Sequence, residues 1–152
     1  MKVKEIMTKD VVGINPDVDA QEALALLFSK KISGLPVIDA QGKLMGMFTE
    51  KDILSYILPG YIEKVGRFVY EEDPKSATKK FAELNKVKVS QLMRKLVVTT
   101  TEDATLCEVA RVMLTQKARR IPVLDKAGRM SGIVARCDIL RALAKETAAP
   151  LE

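Results

Sequence analysis

Residues Val3-Lys-Glu-Ile-Met7 through Asp52-Ile53-Leu54 recur, without a gap and at a constant offset of 86, as Val89-Ser-Gln-Leu-Met93 through Asp138-Ile139-Leu140. The matched positions are those that build turns and cores: Met7 with Met93, Val11-Val12 with Val97-Val98, Glu22 with Glu108, Pro36-Val37 with Pro122-Val123. Asp39 pairs with Asp125 in the same way, Gly42 with Gly128 and Gly46 with Gly132. A unit of about 50 residues is longer than most solenoid repeats, and two copies are too few for an open array. The duplication therefore predicts two similar units packed face to face about a pseudo-twofold axis, with the crevice between them as the first place for a ligand.

Each copy reads β-α-β-β-α, an α/β (α+β) pattern. In the first, Asp10 to Ile14 reads as a short strand and Asn15-Pro16-Asp17 as a turn. Asp19-Ala-Gln-Glu22 has the form of a capping box, and Ala23, Leu24, Leu27 and Phe28 recur at helical spacing up to a stop at Gly34. Leu35 to Ile38 and Leu44 to Phe48 read as a hairpin around Asp39-Ala-Gln-Gly42, followed by a helix from Thr49 to about Leu58 that Pro59-Gly60 ends. The second copy repeats the plan: strand Val97 to Thr99, capping box Thr105-Leu-Cys-Glu108, helix through Leu114, strands Ile121 to Leu124 and Met130 to Val134, and a helix from about Cys137 to Lys145. The boundaries are thus 1–60 and 89–150. Residues 61–88 have no counterpart and read as an inserted helical connector. It breaks at Glu71-Glu72-Asp73-Pro74, with apolar residues Tyr61-Ile62, Val65 and Phe68-Val69 before the break and Phe81 and Leu84 after it. The segment either covers the edge of the module or offers a partner surface.

Composition narrows the function. With 47% hydrophobic residues in 152, the chain has enough apolar material for a core. No apolar run approaches the ~20 residues of a membrane span, and the N-terminus lacks a signal peptide's apolar stretch, so the expected location is cytoplasmic, with no membrane partner. Histidine is absent, which removes the commonest general base and metal ligand. Cys107 and Cys137 occupy non-equivalent positions and read as small, partly buried packing residues, so no metal site is expected. The net charge of +5 is dispersed along the sequence and argues for solubility rather than a nucleic-acid stripe.

The residues suited to chemistry lie where a strand becomes a helix. Gly46-Met-Phe-Thr49-Glu-Lys-Asp52 places a hydroxyl and a carboxylate three residues apart. That is a helix cap needing no ligand; it is also a carboxylate able to accept two ribose hydroxyls beside a helix start that favours phosphate. Both roles can coexist. Gly132-Ile-Val-Ala135-Arg-Cys-Asp138 keeps the aspartate and loses the hydroxyl, so the acid is what both copies share. Arg119 and Arg120 stand opposite Ser33 and Gly34 of the first copy. They read either as solvated cations at a helix end or as a phosphate clamp, while Lys31 and Lys117 are helix-end cations.

Copies reading Val-x-x-Ile-Met-Thr, Leu-Pro-Val-Ile-Asp and Gly-Met-Phe-Thr-Glu-Lys-Asp-Ile-Leu resemble cystathionine-β-synthase (CBS) domains, and the two together resemble a tandem CBS pair, or Bateman module. The resemblance covers the chain except residues 61–88. It implies a disc with two clefts that bind adenine nucleotides or other adenosyl ligands: the aspartate holds ribose, the preceding Thr or Ser holds phosphate, and backbone near the first strand reads adenine. On this sequence it implies Thr49 with Asp52, Asp138 in the other copy, and backbone around Gly13-Ile14 and Thr99-Thr100. Arg119 and Arg120 fall where sensor modules of the AMP-activated kinase type place phosphate-contacting basic residues. Ala135 departs from the family's hydroxyl, and Gly13 stands where many members have threonine.

The leading expectation is a regulatory module, not an enzyme. It needs no obligatory cofactor, binds AMP, ADP, ATP or a related adenosyl ligand, forms a homodimer and acts on a separate protein. A structural dimer with degenerate clefts is one alternative. A nucleic-acid binder using Arg119, Arg120, Lys79, Lys80, Arg94 and Lys95 is another, disfavoured by an aromatic content of 5% and the lack of a recognition motif. There is no Gly-x-x-x-x-Gly-Lys-Ser/Thr loop and no histidine-based triad.

Overall fold

The computed structural model describes residues 1–58 and 74–147. Helix α1 (Ala20–Lys30) starts where the Asp19 carboxylate accepts the Glu22 N–H at 2.8 Å. Strands β1 (Gly34–Ile38) and β2 (Leu44–Thr49) follow, then α2 (Glu50–Ile57), α3 (Pro74–Ala82) and the single turn α4 (Val89–Leu92). The second copy supplies β3 (Thr100–Thr101), α5 (Leu106–Thr115), β4 (Arg120–Leu124), β5 (Met130–Ala135) and α6 (Arg136–Glu146). β1 and β2 form one sheet, while β3, β4 and β5 form another in that order, with β3 parallel and β5 antiparallel to β4. Mixed helix and strand in two repeats is the α+β architecture expected. Among the described residues no helix is long and apolar enough to cross a membrane.

Compactness does not follow the repeat. One unit comprises Met1–Val12, Gln41–Leu44 and Val97–Glu152, and the other Gly13–Ala40 and Met45–Leu96. Each copy's opening motif is therefore built into the unit that holds the other copy. Val3 is fully buried among Val109, Met113, Ile121, Val123 and Val134, whereas Val89 is fully buried among Leu24, Leu27, Val37 and Phe48. Backbone pairing repeats the arrangement. Thr8 and Ile133 exchange bonds of 2.8 and 3.0 Å, and Met47 and Arg94 exchange bonds of 2.9 and 2.8 Å, each pair displaced from the other by the repeat offset. A glycine is required at each crossing: a β-carbon on Gly132 would lie 2.7 Å from the Thr8 carbonyl oxygen, and one on Gly46 would lie 2.5 Å from that of Arg94. The joint recurrence of Met7/Met93 and Gly46/Gly132 is thus one packing requirement seen twice.

Several expectations need correction. The first strands are shorter than the Asp10–Ile14 and Val97–Thr99 runs suggest. Residues 10–13 form no ladder because the Val11 N–H turns back to the Lys9 carbonyl, leaving a single parallel bridge of Ile14 to Val37. In the second copy the pairing falls at Thr100–Thr101, with Thr100 opposite Val123, in the same register. Helix α1 ends at Lys31, not Gly34. Lys31 adopts a left-handed conformation (φ 53°), the Ile32 N–H donates to the Leu27 carbonyl, and Gly34 opens β1 instead. Lys117 repeats that geometry at φ 54°. Cys107 and Cys137 are exposed, because the buried stripes of their helices run through Leu106, Val109 and Met113 and through Ile139 and Ala142. Of the connector, Pro74–Ala82 is helical, Leu84 is buried and Phe81 is exposed; residues 71–73 of the expected break and the apolar residues from Tyr61 to Val69 lie outside the described residues.

Candidate functional site

In the first copy, β2 delivers Thr49 to the N-cap of α2 and places Asp52 one turn on, both half-buried. The Thr49 N–H donates to Asp52 Oδ2 at 2.8 Å, the Thr49 hydroxyl lies 3.1 Å from the same oxygen, and the Asp52 N–H donates back to Thr49 Oγ1 at 3.4 Å. The capping interpretation is therefore satisfied in full by Oδ2. Among the described residues Asp52 Oδ1 has no partner, which leaves an oriented acceptor at a helix start whose Glu50 and Asp52 N–H groups are already bonded, to the Ser33 carbonyl and to Thr49 Oγ1. Gly13 and Ile14 divide the adjoining backbone. The Ile14 N–H donates to Pro36 and its carbonyl accepts from Ile38, at 3.0 and 2.8 Å. Gly13 makes no backbone hydrogen bond among the described residues and so retains a donor and an acceptor. A β-carbon there would collide with the side chain of Ile38, which fills the space a larger residue would take.

The second copy preserves the carboxylate geometry without the hydroxyl. The Ala135 N–H donates to Asp138 Oδ2 at 2.7 Å, and Oδ1 is again without a partner among the described residues. The helix entries also match, with the Glu50 N–H donating to the Ser33 carbonyl at 3.0 Å and the Arg136 N–H to the Arg119 carbonyl at 3.2 Å. Arg119 and Arg120 consequently flank the start of α6, Arg120 standing opposite Ala135 in the β4–β5 ladder, with both side chains exposed. Thr100 is held in β3, and the neighbouring Thr99 is exposed.

The two copies exchange bulk at one contact. A β-carbon on Gly34 would sit 2.9 Å from Thr49 Cγ2, so threonine at the cap requires glycine at 34. The second copy has Ala135 at the cap and Arg120 across from it. The methyl of a threonine cap and a side chain across from it therefore compete for one space, a coupling invisible when each motif is read alone.

Sequence reasoning missed a groove of about 390 Å³ along α6. Its walls include Glu5 and Ile6 from the chain start and Asp138, Arg141, Ala142 and Lys145 from the helix. The spacing i, i+3, i+7 from Asp138 was the available signal, since it puts Asp138, Arg141 and Lys145 on one helical face. Among the described residues no group of three or more His, Cys, Asp and Glu side chains could hold a metal.

Two copies of a small α/β unit, each fixing one helix-start carboxylate with an open oxygen, define a tandem module with one site geometry repeated. The CBS domain model matches residues 3–59 and again 89–145, and the chain belongs to the CBS domain family as a tandem pair. It is 32% identical to the uncharacterized protein MJ1426 of Methanocaldococcus jannaschii, covering 94% of this chain and 91% of that one. The CBS-pair protein CBSX2 from Arabidopsis thaliana superposes with a TM-score of 0.76 at 27% identity, covering 97% of this chain and 96% of that one. CBSX2 has also been solved in complex with AMP, with a TM-score of 0.73 at 27% identity, covering 96% of this chain and 98% of that one. The CBS domain pair of protein MJ0100, solved with 5′-methylthioadenosine and S-adenosyl-L-methionine, superposes with a TM-score of 0.66 at 27% identity, covering 96% of this chain and 98% of that one.

Proposed function

We propose that this protein is a regulatory sensor of adenosyl ligands. Asp52 and Asp138 accept ribose hydroxyls, Thr49 and the α2 N-terminus receive phosphate in the first copy, and Arg119 and Arg120 receive it in the second. The backbone of Gly13 and the Thr99-Thr100 segment face the base. The observation that carries this reading is the carboxylate oxygen left open in both copies while its twin is held by a cap N–H at 2.8 and 2.7 Å. Capping by one oxygen persists in the second copy without the hydroxyl, so it is the second, open oxygen, and not the recurrence of the acid, that supports a ligand. The adenosyl ligands solved on CBSX2 and on the MJ0100 pair support the ligand class.

Binding regulates a separate protein to the extent that ligand affinity differs between two arrangements of the module, a coupling commonly worth about 1–3 kcal/mol. The protein acts as a homodimer. Exposed apolar side chains recur at the repeat offset, Phe28 (63% exposed) with Leu114 (75%) and Leu54 (57%) with Leu140 (66%), which supports association through helical faces. Ligand-dependent unfolding tests the sensor. A ligand at a hundredfold its dissociation constant stabilises by about 2.7 kcal/mol, which raises Tm by about 5–11 °C for a domain of this size. An unchanged Tm with AMP, ATP and S-adenosyl-L-methionine at millimolar concentration refutes it.

A further inference from the structure

We infer that the groove along α6 is a polyphosphate subsite that extends the Asp138 site, so that the second copy selects adenosine di- and triphosphates over the monophosphate. The inference rests on the assignment of ribose to Asp138. The groove holds two carboxylates and two cations, and they differ in commitment. Asp138 Oδ2 accepts from the Ala135 N–H, and a Glu5 carboxylate oxygen accepts from the Lys2 N–H at 2.6 Å. Arg141 and Lys145 make no ion pair or hydrogen bond among the described residues.

Their placement favours an anion. Like charges four residues apart on a helix repel, and an anion between them converts the repulsion into attraction. The helix dipole accounts for Lys145 in the last turn but not for Arg141 near the helix middle. With a rise of 1.5 Å per residue, Arg141 lies about 4.5 Å and Lys145 about 10.5 Å beyond Asp138 along the axis. That order suits a ribose at one end and, beyond a first phosphate at Arg119 and Arg120, the outer phosphates of a di- or triphosphate meeting the Arg141 guanidinium before Lys145.

The first copy is the internal control. Ser55, Tyr56 and Pro59 replace Arg141, Ala142 and Lys145 at the repeat offset. Tyr56 packs against the first core, and Lys80 Nζ lies 5.7 Å from its ring centroid. A tyrosine therefore stands where the second copy has Ala142, the helix itself supplies neither cation, and the one cation beside the ring, Lys80, comes from α3 and faces the aromatic ring.

The test is calorimetric titration of the full chain with AMP and ATP in the wild type, Arg141→Ala/Lys145→Ala and Asp138→Asn. Removing charge-assisted contacts is expected to weaken ATP by about tenfold or more and AMP by less than about twofold. Circular dichroism and Tm confirm folding, since both side chains are exposed. Equal losses for both ligands, or an ATP loss confined to Arg119→Ala/Arg120→Ala, overturn the subsite. AMP binding that depends on Asp138 while ATP is unaffected by the double variant refutes this inference alone. Failure of either nucleotide to bind the folded wild type refutes the sensor reading beneath it.

Discussion

Replacing Gly34 by alanine puts a β-carbon 2.9 Å from Thr49 Cγ2 and 3.3 Å from the Phe48 carbonyl oxygen. Overpacking of this kind costs about 1–3 kcal/mol. Against it stands a gain of about 0.4–1 kcal/mol from restricting the unfolded chain, so Gly34→Ala is expected to destabilise by about 1–2 kcal/mol and lower Tm by about 2–8 °C. Thr49→Ser removes the offending methyl and keeps the hydroxyl that caps Asp52. In that background the same alanine should cost little, giving a coupling of about 1 kcal/mol. Urea denaturation followed by far-UV circular dichroism measures all four corners of the cycle. Additivity within about 0.5 kcal/mol refutes the steric account. The second copy supplies the converse: Ala135→Thr should be tolerated better beside Arg120→Gly than beside native Arg120, which stands opposite it in the ladder.

Gly132→Ala should cost about 1–3 kcal/mol, because the obstructing atom is the Thr8 carbonyl oxygen at 2.7 Å; hydrogen exchange at Thr8 and Ile133 should accelerate together. Lys4, by hydrogen bond and charge, and then Lys2 hold the Asp103 carboxyl below the usual carboxylate range, at 3.3 and 3.5 Å. A depressed folded pKa contributes stability above the ordinary carboxylate range that is lost as pH falls through the folded value. Asp103→Asn should therefore reduce the acid-side loss of stability, and molar salt should erase the difference, since exposed pairs are screened. Leu140→Glu places a charge in an exposed apolar position and should shift the proposed dimer to monomer in light scattering. An unchanged mass excludes that helical face as the interface.

Much of the fold was legible because the repeat transmits register. Ile14 opposite Val37 and Thr100 opposite Val123 share one offset, as do the backbone entries of α2 and α6. The capping boxes at Thr49 and Thr105 and the Asp19 cap were readable from three-residue spacing, because capping is local. The exchange of opening segments was not, since a buried valine gives no sign of which core receives it. Nor were the αL termini at Lys31 and Lys117, where tertiary context holds lysine in a conformation that favours glycine. At the site, the shared aspartates were legible as a residue pattern. The open Oδ1, the Gly34–Thr49 contact and the α6 groove needed coordinates, because each depends on atoms brought together across elements.

The central claim is tested most directly by calorimetric titration of folded, nucleotide-free protein with AMP, ATP and S-adenosyl-L-methionine, in the wild type and in Asp52→Asn and Asp138→Asn. Asparagine still accepts the cap N–H and so preserves the helix start, but it cannot accept two ribose hydroxyls. The account predicts that each substitution weakens binding at its own copy by about tenfold or more with Tm nearly unchanged. Undiminished affinity in both variants contradicts it.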